Sequence, residues 1–209
     1  MEVGPSHFFE EAARVCGFRR IAGLDEAGRG PLAGPVVAAV VILPRRYRPQ
    51  GLDDSKVLTV SQRQSLYDRI IQQALDWAIG QSSEQEIDSL NILEATRLAG
   101  QRALAGLRQS PDCLLTDALH LPLVSLPQRP IIKGDALSLS IAAASILAKV
   151  FRDNLMNGYH ERFPKYQFHI HKGYPTPSHL QRLQQFGPCA AHRHSFKPVQ
   201  ACTSFPHHP

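Results

Sequence analysis

The feature that most constrains this chain is the segment GLDEAGRGPLAG, residues 23–34, followed at once by the apolar run PVVAAVVIL, residues 35–43. The run is rich in β-branched residues and lacks polar alternation, which predicts a strand buried on both faces of a sheet. Residues 19–25 predict a first strand, which ends at Asp25 and Glu26. Turn chemistry requires no such acidic pair, and the glycines permit close approach of a ligand or another backbone. We therefore expect a functional loop between the two strands.

Hydrophobic spacing predicts further strands and helices along the rest of the chain. The predicted elements are a helix at 8–15, strands at 19–25 and 35–43, a helix at 61–75, a strand at 76–82, a helix after Asn91, strands at 113–117 and 130–135, and a helix at 136–156. We predict the order β-β-α-β-α-β-α-β-α, in which hairpin-linked strands precede helix-separated ones. This order indicates an α/β domain with a mixed sheet and helices on both faces.

Positive charge is concentrated in the C-terminal part of the chain, which has 209 residues and a net charge of +5. Eight lysines and arginines but two acids lie between residues 149 and 197. This excess favours a polyanionic partner, nucleic acid first, and a solvated basic face is the open alternative. The sequence predicts no membrane span and no secretory signal, and its four cysteines form no zinc-binding pattern. We expect a cytoplasmic monomer with reduced thiols.

Acids follow several of the predicted strands. Asp25 and Glu26 end the first strand, and Asp117 and Asp135 end two later ones. The carboxyl ends of neighbouring strands form one crevice, so these side chains are expected to meet. Clustered carboxylates repel unless a cation lies between them, and oxygen ligands favour Mg²⁺ or Mn²⁺, which cleave phosphodiesters when paired. The alternative is that each aspartate is a turn residue or a helix cap.

Six stretches of the chain match one known family. They are GLDEAGRGPLAGPVVAAVVIL, LDDSKVLT, NILEAT, LLTDAL, KGDALSLSIAAASILAKVFRD and HKGYPTPSHLQRLQQFGPCAAHRHSFKPV. With these motifs the chain resembles bacterial type 2 ribonuclease H, or ribonuclease HII. The resemblance implies a ribonuclease H-like fold, a five-stranded mixed sheet flanked by helices, with a helical C-terminal extension. It also implies an endoribonuclease that hydrolyses the RNA strand of RNA–DNA hybrids and nicks duplex DNA 5′ of single ribonucleotides, leaving 5′-phosphate and 3′-hydroxyl ends.

The resemblance also assigns the reaction to particular acids. It implies that Asp25, Glu26, Asp117 and Asp135 are catalytic and hold two divalent ions, Mn²⁺ or Mg²⁺. These are the same four acids that the strand ends indicate. The expected partners are RNA–DNA hybrids and duplex DNA that contains ribonucleotides.

Recognition of the substrate is implied for a second group of residues. Gly28, Arg29 and Gly30 would read the 2′-hydroxyl that separates RNA from DNA, and Tyr174 would stack on the sugar at the RNA–DNA junction. From the residues alone, a tight turn and a packing aromatic remain open. Lys56 would lie near the phosphates. Four residues in matching basic stretches are expected to line the path of the nucleic acid backbone: His171, Lys172, Arg193 and Lys197.

The chain departs from the family pattern at the turn after Asp117, in PTPSHL and in CAAHRHSF, and none of these departures removes a catalytic group. Ala118 follows Asp117 where the family usually has glycine, so we expect that turn to differ. The apolar loop at 119–130 has no functional interpretation. Ser145 and Lys149 would suggest a nucleophile pair, but we interpret their helix as core packed on the sheet.

The domain organisation follows from these assignments. We expect an N-terminal helical segment at 1–18, a catalytic core at 19–156, a basic substrate-binding extension at 157–200 and a disordered tail at 201–209. Three other functions are weighed against the active ribonuclease. They are a catalytically silent hybrid-binding module, a type 3 ribonuclease H and a general DNA nuclease.

Overall fold

A five-stranded sheet is the framework of the fold, which a computed structural model describes over residues 4–47, 51–52 and 58–203. The strands are β1 (Ile21–Ala27), β2 (Val36–Ile42), β3 (Asp76–Ser82), β4 (Cys113–Asp117) and β5 (Gln128–Ile131). They lie in the order β3-β2-β1-β4-β5. β2 runs antiparallel to β1 and β3, whereas β4 runs parallel to β1 and β5. The predicted mixed sheet is therefore confirmed, and β2 is buried along its whole length.

Helices cover both faces of this sheet. They are α1 (Phe8–Val15), α2 (Val60–Gln73), α3 (Glu84–Leu90), α4 (Ile92–Ala105), α5 (Gly134–Leu137), α6 (Leu139–Arg162), α7 (Phe168–His171), α8 (Pro177–Phe186) and α9 (Lys197–Thr203), with a 3₁₀ turn at Pro164–Tyr166. Alternate residues of β2 face opposite sides, as the strand period requires. Val41 joins the core formed with α2 and α6, whereas Ala38 packs against Ala95 and Ala99 of α4.

A glycine lets α6 lie directly on β1. A Cβ atom at Gly23 would lie 2.1 Å from the carbonyl carbon of Ser140. At its start α6 is anchored by Glu10 of α1, whose Oε1 atom accepts hydrogen bonds from the Ser138 and Ser140 hydroxyls, each at 2.6 Å. The helix that carries Ser145 is thereby fixed in depth and direction against the strand that carries Asp25.

The connection between β4 and β5 differs from the prediction. The predicted order of elements has a helix between the fourth and fifth strands, and this is wrong, because residues 118–127, all described, contain no helix. Two prolines interrupt the segment, and the Gln128 amide bonds both backbone groups of Leu121. Leu119 and Leu121 are buried, so the apolar loop packs on the core.

The following elements begin earlier than predicted. The strand predicted at 130–135 is β5 at Gln128–Ile131, and the helix predicted at 136–156 is divided into α5 and α6. The division falls at Ser138, whose backbone is extended and whose side chain caps α6 by accepting from the N–H of Ile141.

The C-terminal extension folds back over the segment between β1 and β2. Leu32 packs with Leu183 of α8 and Val199 of α9, and Cys202 joins this cluster. Because of that packing, residues 201–203 are helical and the predicted disordered tail begins too early; the rest of it, 204–209, lies outside the described residues. Within the part of the chain that is described, no helix is long and apolar enough to cross a membrane.

Candidate active site

Three of the predicted acids converge at one edge of the sheet. Asp25, Asp117 and Asp135 each offer an oxygen atom, and these atoms all lie within 4.8 Å of one another. β1 and β4 are parallel, so their carboxyl ends meet, and Asp135 follows β5 in α5. Glu26 lies beside them with a side chain that is 9% exposed. These four residues are called the acidic cluster below.

Hydrogen bonds from the backbone fix the orientation of these carboxylates. One oxygen of Asp117 accepts from the N–H of Gly134, the first residue of α5, at 2.8 Å. Asp25 and Asp135 each accept from the N–H of the residue that follows, at 2.7 and 3.0 Å. These backbone hydrogen bonds therefore set the direction of the carboxylates.

The surroundings of Asp25 and Glu26 raise the pKa values of both side chains and so disfavour their negatively charged form. Burial, and then the charges of Glu26 and Asp117, raise the pKa of Asp25 well above its usual value. Burial also raises the pKa of Glu26, although the ion pair with Arg29, 3.1 Å long, partly offsets the effect. Carboxylates in such a position reach the fully ionised form most readily when a cation lies among them.

A cavity of about 410 Å³ opens over the acidic cluster. Its wall includes Ser145 and Lys149, and the Ser145 hydroxyl donates a hydrogen bond to Asp25. Their helix is core packed on the sheet, as expected, and these two residues of it also line the site. Their spacing of four residues, which places both on one face of the helix within the otherwise apolar stretch 141–151, is the signal that could have revealed them.

Residues 28–34 are called the glycine loop below, and its first three residues, Gly28, Arg29 and Gly30, form the rim of this cavity together with Tyr174. Gly28 has a φ of +99°, and a Cβ atom there would lie 2.1 Å from the Nε atom of Arg152. Both observations require glycine at this position. Arg29 is exposed beside Glu26, and the backbone of Gly30 approaches the ring of Tyr174, with 3.7 Å between an ideal Cβ position and Cε1.

The other predicted binding residues are divided between surface and interior. Tyr174 is 40% exposed at the cavity, and the Nζ atom of Lys172 donates to Asn157 at 2.6 Å. His171 is buried, with Nε2 2.7 Å from the Tyr166 carbonyl oxygen, and this placement does not suit a phosphate contact.

Two more basic residues can be placed. Arg193 is 0% exposed, so the expectation that it lines the nucleic acid path is wrong. Its guanidinium group donates hydrogen bonds to carbonyl oxygens of the glycine loop, such as those of Gly28 and Gly34, and these bonds hold it inside the protein. Lys197 is exposed at the start of α9, and Lys56 lies outside the described residues.

Two buried histidines, His192 and His179, form a hydrogen-bonded chain that ends at the backbone carbonyl of Tyr174. The Nδ1 atom of His192 accepts from the N–H of Cys189 at 3.0 Å, so its proton is on Nε2. That Nε2–H points at Nε2 of His179, 3.1 Å away, and the Nδ1–H of His179 donates to the Tyr174 carbonyl at 2.9 Å. Burial lowers the pKa of His179 to about 4 and that of His192 to about 3, in agreement with two neutral rings. Sequence composition placed these residues in a basic block and gave no sign that they are internal.

The fold and the acidic cluster together define a nuclease of the ribonuclease H type. The sequence profile described as Ribonuclease HII matches residues 22–199. A ribonuclease HII of Desulfitobacterium hafniense is 55% identical over 184 residues, which cover 88% of this chain and 71% of that protein. One of Syntrophotalea carbinolica is 51% identical over 199 residues, 95% of each chain. The crystal structure of ribonuclease H2 from Pyrococcus horikoshii OT3 matches with a TM-score of 0.75 at 26% identity, over 88% of this chain and 97% of that one.

This chain belongs to the ribonuclease HII family. It is accordingly a hydrolase, a ribonuclease H whose family acts on RNA–DNA hybrids and depends on divalent metal. The resemblance drawn from the sequence motifs and the ribonuclease H-like fold that it implied are both confirmed.

Proposed function

We propose that this chain is an active endoribonuclease that hydrolyses the RNA strand of RNA–DNA hybrids and nicks duplex DNA on the 5′ side of single ribonucleotides. The products carry 5′-phosphate and 3′-hydroxyl ends. One observation carries the proposal: three carboxylates converge within 4.8 Å of one another beneath a cavity that the glycine loop and Tyr174 border.

The acidic cluster fits divalent cations. Its donors are carboxylate oxygens, the ligands that Mg²⁺ and Mn²⁺ both accept, and burial raises the pKa of Asp25 in a way that a cation would reverse. In this proposal two ions are held by four residues: Asp25, Glu26, Asp117 and Asp135. When bound, such a pair activates water and neutralises charge on the leaving oxygen.

The chain's own residues prepare the site for that chemistry. Gly134 and Ser145 orient Asp117 and Asp25, so the ligands need little rearrangement on loading. Lys149 lies at the cavity wall, 5.9 Å from the ring centre of Tyr174, and its charge suits a phosphate close to the carboxylates.

Recognition of the ribonucleotide is assigned to the rim. Backbone groups of Gly28, Arg29 and Gly30 would bond the 2′-hydroxyl, which is both donor and acceptor, and the exposed ring of Tyr174 would stack on the sugar. Lys172 and Lys56 would contact phosphates farther along the backbone, as the family motifs imply.

The test uses a labelled DNA duplex with one ribonucleotide, incubated with Mg²⁺, with Mn²⁺ or with chelator. We expect a metal-dependent nick 5′ of the ribonucleotide and no cleavage of the matched all-DNA duplex. Asp135→Asn is expected to abolish the nick while the fold and hybrid binding survive. Asp68→Asn is the matched control, because Asp68 is on α2 and bonds Gln64 rather than the cluster.

Two of the alternatives, the silent binding module and the general nuclease, each have their own result in this test. Hybrid binding without turnover under either metal would identify a silent binding module. Equal cutting of the all-DNA duplex would identify a general nuclease and contradict the role of the glycine loop. Full activity of the Asp135→Asn variant would contradict the assignment of the acidic cluster.

A further inference from the structure

Two buried arginines lie beneath the glycine loop. Arg152 of α6 and Arg193, which precedes α9, are 1% and 0% exposed. Burial lowers the pKa of both guanidinium groups, and the charge of the buried Glu84 carboxylate partly offsets the effect. Removing a cation from water is costly, so the hydrogen bonds of these two guanidinium groups need explanation.

Arg193 is bonded to almost the whole glycine loop. Its side chain donates five hydrogen bonds of 2.6–3.1 Å to carbonyl oxygens of the loop, those of Gly28, Arg29, Pro31 and Gly34. Its backbone N–H donates to the carbonyl of Leu32 at 2.8 Å. Among residues 28–32, all of which are described, Gly30 alone has a carbonyl that Arg193 does not bind.

Arg152 joins the loop to the segment that carries Tyr174. It donates to the carbonyls of Ala33, Pro35 and Lys172, each at 3.0 Å. The N–H of Leu32 also donates to the Gly173 carbonyl, at 2.8 Å. The glycine loop and Tyr174 are therefore parts of one rigid body built around two guanidinium groups.

A role in stability alone does not account for this arrangement. A loop at the surface ordinarily leaves its carbonyls to water, and an apolar core at this position would avoid the cost of burying charge. A guanidinium is distinguished by five donors in a planar fork, which can collect several carbonyls at fixed angles. The loop carbonyls that Arg193 binds face inward. This fixes which backbone groups of Gly30 face the cavity.

We propose that Arg193 is a positioning residue for ribonucleotide recognition, which sets the glycine loop in the one conformation able to read a 2′-hydroxyl. The inference rests on the proposed function and adds to it the determinant of selectivity between RNA and DNA. Arg152 holds Tyr174 in register with that loop.

The experiment compares the affinity of wild type and Arg193→Lys for two duplexes, with one ribonucleotide and with none, in chelator to prevent turnover. Lysine keeps the charge but replaces a five-donor fork by a single ammonium. We expect the preference for the ribonucleotide to fall about tenfold, as one or two lost hydrogen bonds imply, with affinity for the all-DNA duplex unchanged. Arg45→Lys, at an arginine far from the loop with a 72% exposed side chain, is expected to keep the wild-type preference.

The outcomes separate this inference from the proposed function. If the wild type neither prefers nor cleaves the duplex with one ribonucleotide, the proposed function and the positioning role of Arg193 are both overturned. If the wild type does both and Arg193→Lys keeps its preference, or weakens equally on both duplexes, the positioning role alone is overturned.

Hydrogen exchange of the wild-type protein gives a second measurement that does not depend on folding of the variant. The amides of Leu32 and Gly34 donate to Gly173 and Ala191. We expect both to be protected in the free protein to nearly the same degree as with the ribonucleotide duplex bound. Protection that appears only on binding would overturn the inference, because the loop would not be set in advance.

Discussion

The carboxylate of Asp117, at the end of β4, accepts a hydrogen bond of 2.8 Å from the backbone N–H of Gly134, where α5 begins. This bond ties the end of one strand to the helix that carries Asp135. Two members of the acidic cluster are thus held at a fixed separation by the backbone. The same carboxylate serves as a helix cap and as a candidate metal ligand, and substitutions can separate the two roles.

Asp117→Asn and Asp117→Ala should differ in stability but agree in activity. Both remove a charged ligand, so we expect a loss of activity of about 100-fold or more. Asparagine retains an oxygen for the Gly134 N–H, whereas alanine leaves it unbonded and should cost about 1 kcal/mol in the free energy of unfolding. Urea denaturation in chelator measures the stability difference, and wild-type cleavage by either variant would refute the ligand role.

Ala118 is in a backbone conformation that suits glycine. Its φ is +51°, in the left-handed region, and it is exposed, so packing does not dictate the residue. Relief of strain of about 1–2 kcal/mol exceeds the entropic cost of glycine, and Ala118→Gly should stabilise the protein by about 0.5 kcal/mol. Ala118→Val should destabilise it, because β-branching is disfavoured there. A lower urea midpoint for the glycine variant would contradict the assignment of strain.

Gly23→Ala and Gly158→Ala should have opposite effects. A methyl group at Gly23 would lie 2.1 Å from the Ser140 carbonyl carbon, and separating α6 from β1 should cost about 3 kcal/mol. At Gly158, within α6, a Cβ atom would meet nothing within 4 Å, and alanine should stabilise the helix by about 1 kcal/mol. Thermal denaturation of the two variants checks the contrast, and equal melting temperatures would contradict it.

The buried imidazoles should make the protein less stable in mild acid. Burial lowers the pKa of His179 and His192 from 6.5 to about 4 and about 3. As the pH falls below about 6.5, His179 and His192 bind protons in the unfolded chain but stay neutral in the folded protein. The free energy of unfolding therefore decreases until the pH reaches about 3. The effect is about 1.4 kcal/mol for each unit of pKa difference.

Chemical denaturation between pH 7 and pH 5 measures this effect. His192→Asn removes one of the two groups, and its stability should decline less steeply than that of the wild type. His120→Asn, at an exposed histidine, is the matched control and should follow the wild-type slope. Identical slopes for wild type and His192→Asn would show that the imidazoles do not set the pH dependence.

The sequence predicted those parts of the molecule that depend on local pattern. β2 is recognisable because a strand buried on both faces must be apolar throughout, and the bounds of β3 and α1 follow from periodicity. The meeting of Asp25 with Asp117 was predictable from parallel strand ends. These inferences need only neighbouring residues and the geometry of a sheet.

Other features depend on contacts between distant segments and were beyond local reasoning. Ser138, where α5 and α6 are divided, donates a hydrogen bond to Glu10, 128 positions away in the sequence. Arg193 was expected on the surface because charged residues usually are, and only the inward carbonyls of the glycine loop explain its burial. The neutral state of His179 likewise depends on partners that the sequence does not place beside it.

The hydrogen bonds between Arg193 and the glycine loop also imply an order of events during synthesis of the protein. During translation the loop and the four acids leave the ribosome before Arg193, which follows all of them in the sequence. A nascent or truncated chain that lacks Arg193 would contain all four acids of the acidic cluster, but its glycine loop would not be held in position. With the proposed role of Arg193, selectivity for ribonucleotides would be acquired only once Arg193 has been made, after all four acids of the acidic cluster.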